Sequence, residues 1–141
     1  MSRILSIDFG EKRIGLAVSD ELGITAQRLS TFHVEKDKEF FSYLEEIINQ
    51  KDIGQIVIGF PKMMDGTVGE KAKQVQKLAE DIKGRFGIPV ILWDERLSSI
   101  QSQNILREMG EKYTRKKEKV DELSALLILQ NYLDYKRNRD E

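Results

Sequence analysis

Three acidic positions stand where apolar runs or helices end, and their types restrict what they can do. Asp8 closes the run Ile4-Leu5-Ser6-Ile7, Asp94 and Glu95 close Pro89-Val90-Ile91-Leu92-Trp93, and Asp121 enters at the first turn of a last helix. Carboxylates held close together repel, and their pKa values rise unless a cation joins them. The chain has no cysteine and a single histidine, His33, so neither a thiolate site nor a histidine cluster can form. The cation that suits an all-oxygen set is a hard one, Mg²⁺ or Mn²⁺. Divalent ions on carboxylates serve in-line phosphodiester hydrolysis, two of them about 3.5–4 Å apart where a pair is used.

Each acid also has a plain structural reading. Asp8 can cap the turn that follows it. Asp121 can be a helix N-cap. Asp94 can pair with Arg96 and hold a loop. Side chains alternate along a strand, so Asp94 and Glu95 point to opposite faces while the strand lasts, and only one of them is expected as a ligand, the other as structural.

Basic residues gather near the same positions. Lys12 and Arg13 follow Asp8, Lys62 follows the run Gln55–Phe60, and Arg96 follows Glu95. The stretch 111–119 adds Lys112, Arg115, Lys116, Lys117 and Lys119, with Tyr113 among them, immediately before Asp121. A charge run is usually a solvated face. Its place beside the acids makes it a candidate grip on phosphates.

The elements that must position these groups follow from the pattern. Arg3–Phe9 and Ile14–Ser19 read as a hairpin. Gly10 and Gly15 bracket its turn, where a positive φ or a close backbone approach suits glycine. A third strand is expected over Gln27–Val34, with His33 facing solvent. Asp37–Lys51 carries Phe40, Phe41, Leu44, Ile47 and Ile48 at helical steps. Gln55–Phe60 is an apolar run ended by Pro61, as in a strand covered on both faces. Thr67 and Glu70 fit a capping box opening a helix that ends at Gly87. Pro89–Trp93 is another buried strand, and Ser99–Met109 a helix. Residues 111–119 read as a loop. The last helix is expected over Val120–Lys136, apolar nearly all round and therefore buried, with Arg137–Glu141 frayed. The order β-β-β-α-β-α-β-α-α predicts one mixed sheet with helices on its faces. The first three strands are antiparallel and the later ones parallel to a neighbour. In such sheets ligands bind off the carboxyl ends of the strands.

At 141 residues, with 33% charged and 40% hydrophobic residues, the chain is expected to be one globular domain spanning 1–141. It contains no apolar run long enough to span a membrane and no signal-peptide layout. A net charge of −1 excludes a whole-surface electrostatic grip on nucleic acid, so any such contact must be local.

The segment from Asp8 to Asp20, DFGEKRIGLAVSD, resembles the opening motif of the YqgF/RuvX family. Gly59-Phe60-Pro61 with Met64-Asp65-Gly66-Thr67 resembles its second motif, Asp94–Ser98 its third, and Asp121–Leu133 its last helix. Ser124 departs from the small apolar residue more usual there. The resemblance implies a ribonuclease H-like fold with a mixed five-stranded sheet. It also implies a bacterial cytoplasmic location and a metal-dependent nuclease. By motif position, Asp8, Glu95 and Asp121 would carry Mg²⁺ or Mn²⁺, one ion or two, with Asp94 the alternative to Glu95. The implied substrate is structured RNA, the 5′ end of pre-16S rRNA during ribosome biogenesis, with pre-ribosomal particles as partners. Branched DNA is the competing substrate, since the family is also described as resolvase-like, and a resolvase would act as a homodimer rather than a monomer. A catalytically silent RNA-binding assembly factor is a third reading. The first motif also resembles the phosphate loop of the actin and sugar-kinase superfamily. Those proteins close two domains around a nucleotide, whereas this chain supplies one.

Overall fold

In the computed structural model, the structure describes residues 2–35, 39–61, 69–94 and 117–140, with side chains over 123–138 in the last stretch. Strands β1 (Arg3–Asp8) and β2 (Arg13–Ser19) form the expected hairpin. They pair antiparallel, with Leu5 opposite Val18 and Asp8 opposite Gly15. Gly10 in the turn does not need a positive φ. It needs space, because a Cβ there would lie 2.5 Å from the carbonyl oxygen of Arg13.

The expected third strand is two pieces. β3 (Ala26–Arg28) and β4 (Phe32–His33) both pair antiparallel with β2, along different stretches of it. His33 is half-buried rather than solvent-facing. Helix α1 (Phe40–Lys51) follows, capped by the Glu39 carboxylate, which accepts from the Phe41 amide. Strand β5 (Ile53–Phe60) then pairs parallel with β1, Ile7 opposite Ile58.

Helix α2 (Glu70–Phe86) opens at Gly69, with no side-chain cap. Glu70 is therefore the first helical residue rather than the third that the expected capping box requires, and Thr67 lies outside the described residues. Its other end agrees with the sequence: Gly87 adopts the left-handed conformation and its amide donates to Lys83. Strand β6 (Val90–Asp94) pairs parallel with β5. The expected helix at 99–109 lies outside the described residues. The last helix, α3 (Lys117–Asp140), is longer than expected at both ends. Residues 117–119 belong to it rather than to a loop, and 137–140 continue it. Asp121 is thus its fifth residue, past the first turn, so the N-cap reading of that acid does not hold. Among the described residues, no helix is long and apolar enough to cross a membrane.

The sheet order is β3-β2-β1-β5-β6, with β4 beside β2. Strand alternation divides the core. Leu5, Ile7, Leu16, Ile56 and Ile58 face α1 and α2, with Leu44, Val75 and Ile82 from the helices. Ile4, Ala17, Val57 and Trp93 face the other way, onto Ala125, Ile128, Leu129, Tyr132 and Leu133 of α3. From 123 to 134 every residue of α3 is buried or half-buried, as its apolar circumference predicts.

Candidate functional site

Asp8 is the last residue of β1, a central strand with β2 on one side and β5 on the other. Alternation puts it on the α3 face with Ile4 and Ser6. Its neighbour on β2 is Gly15. Its counterpart on β5, one step beyond the Ile7–Ile58 pair, is Gly59. Both strand neighbours of this carboxylate are therefore glycines, which carry no side chain of their own.

Two buried hydroxyl bonds fix this face. Ser6 Oγ donates to the carbonyl of Ala125 at 2.7 Å, and the Ile4 amide donates to Ser19 Oγ at 2.9 Å. Farther along, Gln130 takes the Ala26 amide and donates to the Ile24 carbonyl, while Gln55 Nε2 donates to the Tyr132 hydroxyl at 3.1 Å. Ile4 lies beside Leu133 at the opposite end of the sheet. Helix α3 therefore runs antiparallel to β1. From Ser6, two strand residues advance about 6.6 Å to Asp8. From Ala125, four residues back, just over one turn, advance about 6 Å to Asp121. Both steps lead toward the carboxyl edge of the sheet.

Asp94 ends β6 opposite Phe60. Phe60, Leu92 and Val90 belong to the α1/α2 side of the core, and Trp93 and Ile91 to the α3 side. By alternation Asp94 is on the face away from Asp8. Glu95, Lys62, Arg96, Lys112, Arg115 and Lys116 lie outside the described residues, and Lys117 begins α3. Among the described residues, no three acidic, histidine or cysteine side chains gather into a metal cluster.

Lys12 and Arg13 do share a cavity. It has a volume of about 550 Å³ and is lined by Phe9, Gly10, Glu11, Lys12, Arg13, Glu70, Lys71 and Gln74. The hairpin turn supplies one wall and the first turn of α2 the other. Sequence reasoning named Lys12 and Arg13 but missed Lys71 and Gln74. Their signal was available: a helix that follows a parallel strand begins at that strand's carboxyl edge, so its first turns belong to the site.

This sheet order, with an acid at the carboxyl end of a central strand and a long helix across one face, defines a ribonuclease H-like fold of the resolvase type. The solved structure of Thermus thermophilus RuvC with a Holliday junction substrate overlays it with a TM-score of 0.64, covering 98% of this chain and 96% of that one at 14% identity. The Fowlpox virus resolvase with Holliday junction DNA overlays with a TM-score of 0.57, covering 94% and 97% at 16% identity. The chain belongs to the RuvX family, described as Holliday junction resolvase, which it matches over residues 2–135. A relative from Thermoanaerobacter pseudethanolicus, named "Putative pre-16S rRNA nuclease", is 43% identical over 138 residues, 97% of this chain and 99% of that protein. One of the same name from Geobacillus sp. strain WCH70 is 42% identical over 137 residues, 96% and 99% of the two chains.

Proposed function

We propose that the chain is a divalent-metal-dependent endonuclease acting on structured nucleic acid, with the 5′ end of pre-16S rRNA as its substrate. The observation that carries this reading is the setting of Asp8. It sits at the carboxyl end of a central strand, between Gly15 and Gly59, on the face crossed by an α3 that leads Asp121 toward the same edge. The donor set is all oxygen, which fits Mg²⁺ or Mn²⁺. Asp8, Glu95 and Asp121 would hold the ion. Alternation favours Glu95 over Asp94, since Asp94 is on the opposite face and the next residue of a continuing strand returns to the Asp8 side. A bound metal supplies an activated water and stabilises the leaving oxygen. Lys12, Arg13 and Lys71 hold phosphates along the groove beside the hairpin turn, with Lys62, Arg96, Lys112, Arg115, Lys116 and Lys117 extending that grip.

Two observations separate the substrate readings. The names of the full-length relatives support precursor rRNA. The family description and the resolvase fold support a four-way DNA junction as the second reading. The test offers labelled precursor rRNA and a four-way junction to the purified protein, side by side, in Mg²⁺ and in Mn²⁺. Cleavage of the precursor with the junction left intact is the expected result. Paired cuts in the junction with the precursor intact would transfer the assignment to a resolvase. Binding that survives EDTA, with no cleavage of either, would contradict both and point to an assembly factor.

A further inference from the structure

A second cavity, of about 610 Å³, adjoins the groove beside the hairpin turn. The two share a wall of Phe9, Gly10, Glu11 and Gln74. They differ in character. The first holds Lys12, Arg13 and Lys71 against Glu11 and Glu70, leaving one cation in excess, while the second is walled by rings, Phe9, Phe40 and Phe41, over a floor of Ile14, Phe32 and Leu78, with Glu11 and Glu39 also in its lining. Those rings are held in place. Phe40 meets Phe32 edge-on at 5.1 Å and Phe41 at 6.0 Å, and the Arg85 guanidinium lies 4.3 Å over Phe41. Phe9, Phe40 and Phe41 are only partly buried, so the helices leave part of this aromatic surface uncovered. Gln74, Lys77 and Asp81 place donors and acceptors along the α2 side.

We propose that this aromatic cavity receives one unpaired base of the bound strand, whose flanking phosphates lie in the adjoining groove at Lys12, Arg13 and Lys71. The inference rests on the nucleic-acid reading above and adds a substrate feature to it, an extruded or single-stranded nucleotide next to the cleavage edge. A base explains the pairing of the two cavities, because a nucleotide carries a flat aromatic face and an anion one short linkage apart. An apolar peptide side chain would suit the rings and leave the basic neighbour without a purpose. Stacking tolerates any base, and the amide of Gln74 can pair with either donors or acceptors on a base edge. The cavity lies within the size range of sites that enclose small ligands, about 300–1,000 Å³.

The test measures anisotropy of three labelled RNA duplexes with the full chain in EDTA: one with a single unpaired adenosine, one with an abasic site there, and one fully paired. Wild type should bind the unpaired-base duplex at least about 5-fold more tightly than the abasic one, the lower scale of one stacked base. Phe40→Leu keeps an apolar side chain but removes a ring. Val34→Met adds length at the 43% exposed rim of the same cavity. Both should reduce that preference and leave the fully paired duplex bound as before. Equal affinity of wild type for the first two duplexes overturns the proposal. So does a preference that both variants retain. Cleavage in Mn²⁺ is read separately: a protein that cleaves nothing but discriminates the bulge loses the nuclease reading and keeps the base pocket.

Discussion

Ser6 donates its buried hydroxyl to the carbonyl of Ala125, 119 residues later in the chain, and so ties the centre of β1 to α3. This bond fixes where α3 stands along β1 at Ala125, about one turn from residue 121. Ser6→Ala removes one bond and leaves the fold. The expected cost is about 1 kcal/mol in urea unfolding, the usual net value of one hydrogen bond. Nuclease activity should fall further than stability explains if this bond positions the N-terminal part of α3, since the Gln130 and Gln55–Tyr132 bonds and the apolar face still hold the helix on the sheet. Loss of stability with unchanged cleavage would show that the bond does not position the site.

Gly10→Ala tests the turn. The new Cβ would press on the Arg13 backbone carbonyl, which cannot swing aside as a side chain would. Overpacking of this kind costs about 1–3 kcal/mol. The melting temperature should fall by several degrees, and nucleic-acid affinity should weaken with it, since Lys12 and Arg13 move with the turn. A variant melting with wild type would mean that the turn relaxes freely.

Much of this arrangement was legible in the residues. The hairpin, the buried strand β5 and the Gly87 stop each follow from local pattern and turn chemistry, whereas β6, expected to be buried, is an edge strand in which Trp93 alone is buried. What the pattern could not supply was tertiary. Leu29 donates its amide to Leu16, and around it the expected third strand splits into β3 and β4, because pairing with β2 rather than propensity decides where that strand is interrupted. Residues 117–119 are charged and carry no apolar period, yet they are helical, since they extend a helix anchored by Leu123, Ala125 and Leu129. Lys71 and Gln74 read only as the polar face of an amphipathic helix. Their place beside Lys12 depends on how α2 docks against the hairpin.

Tyr132 carries a pH prediction. Burial raises its phenol above the ordinary value of 10.0, and the bond from Gln55 opposes that rise only in part. The folded state therefore favours the protonated form. Its contribution is fully present below pH 10 and is lost as pH rises from there through the folded value. Tyr132→Phe should lose the Gln55 bond at neutral pH, about 1 kcal/mol. Above pH 10 it should lose less stability than wild type does. Parallel curves of stability against pH would contradict this.

The third-motif acids can be separated directly. Asp94 is on the α1/α2 side of the sheet, away from Asp8. Asp94→Asn should retain cleavage within a few-fold. Glu95→Gln should lose roughly two orders of magnitude or more, the scale of removing one electrostatic stabiliser of the transition state. The reverse ranking would assign the ligand to Asp94.

The most direct measurement is the cleavage rate of labelled precursor rRNA by Asp8→Asn beside wild type, in saturating Mg²⁺ and Mn²⁺. Both proteins are first shown to share one melting temperature without metal. The substitution keeps the shape, turns one acceptor oxygen into a donating NH2 and removes the charge. If Asp8 carries the metal, the variant retains its fold and loses cleavage by roughly 100-fold or more. Cleavage by Asp8→Asn at the wild-type rate would contradict the account.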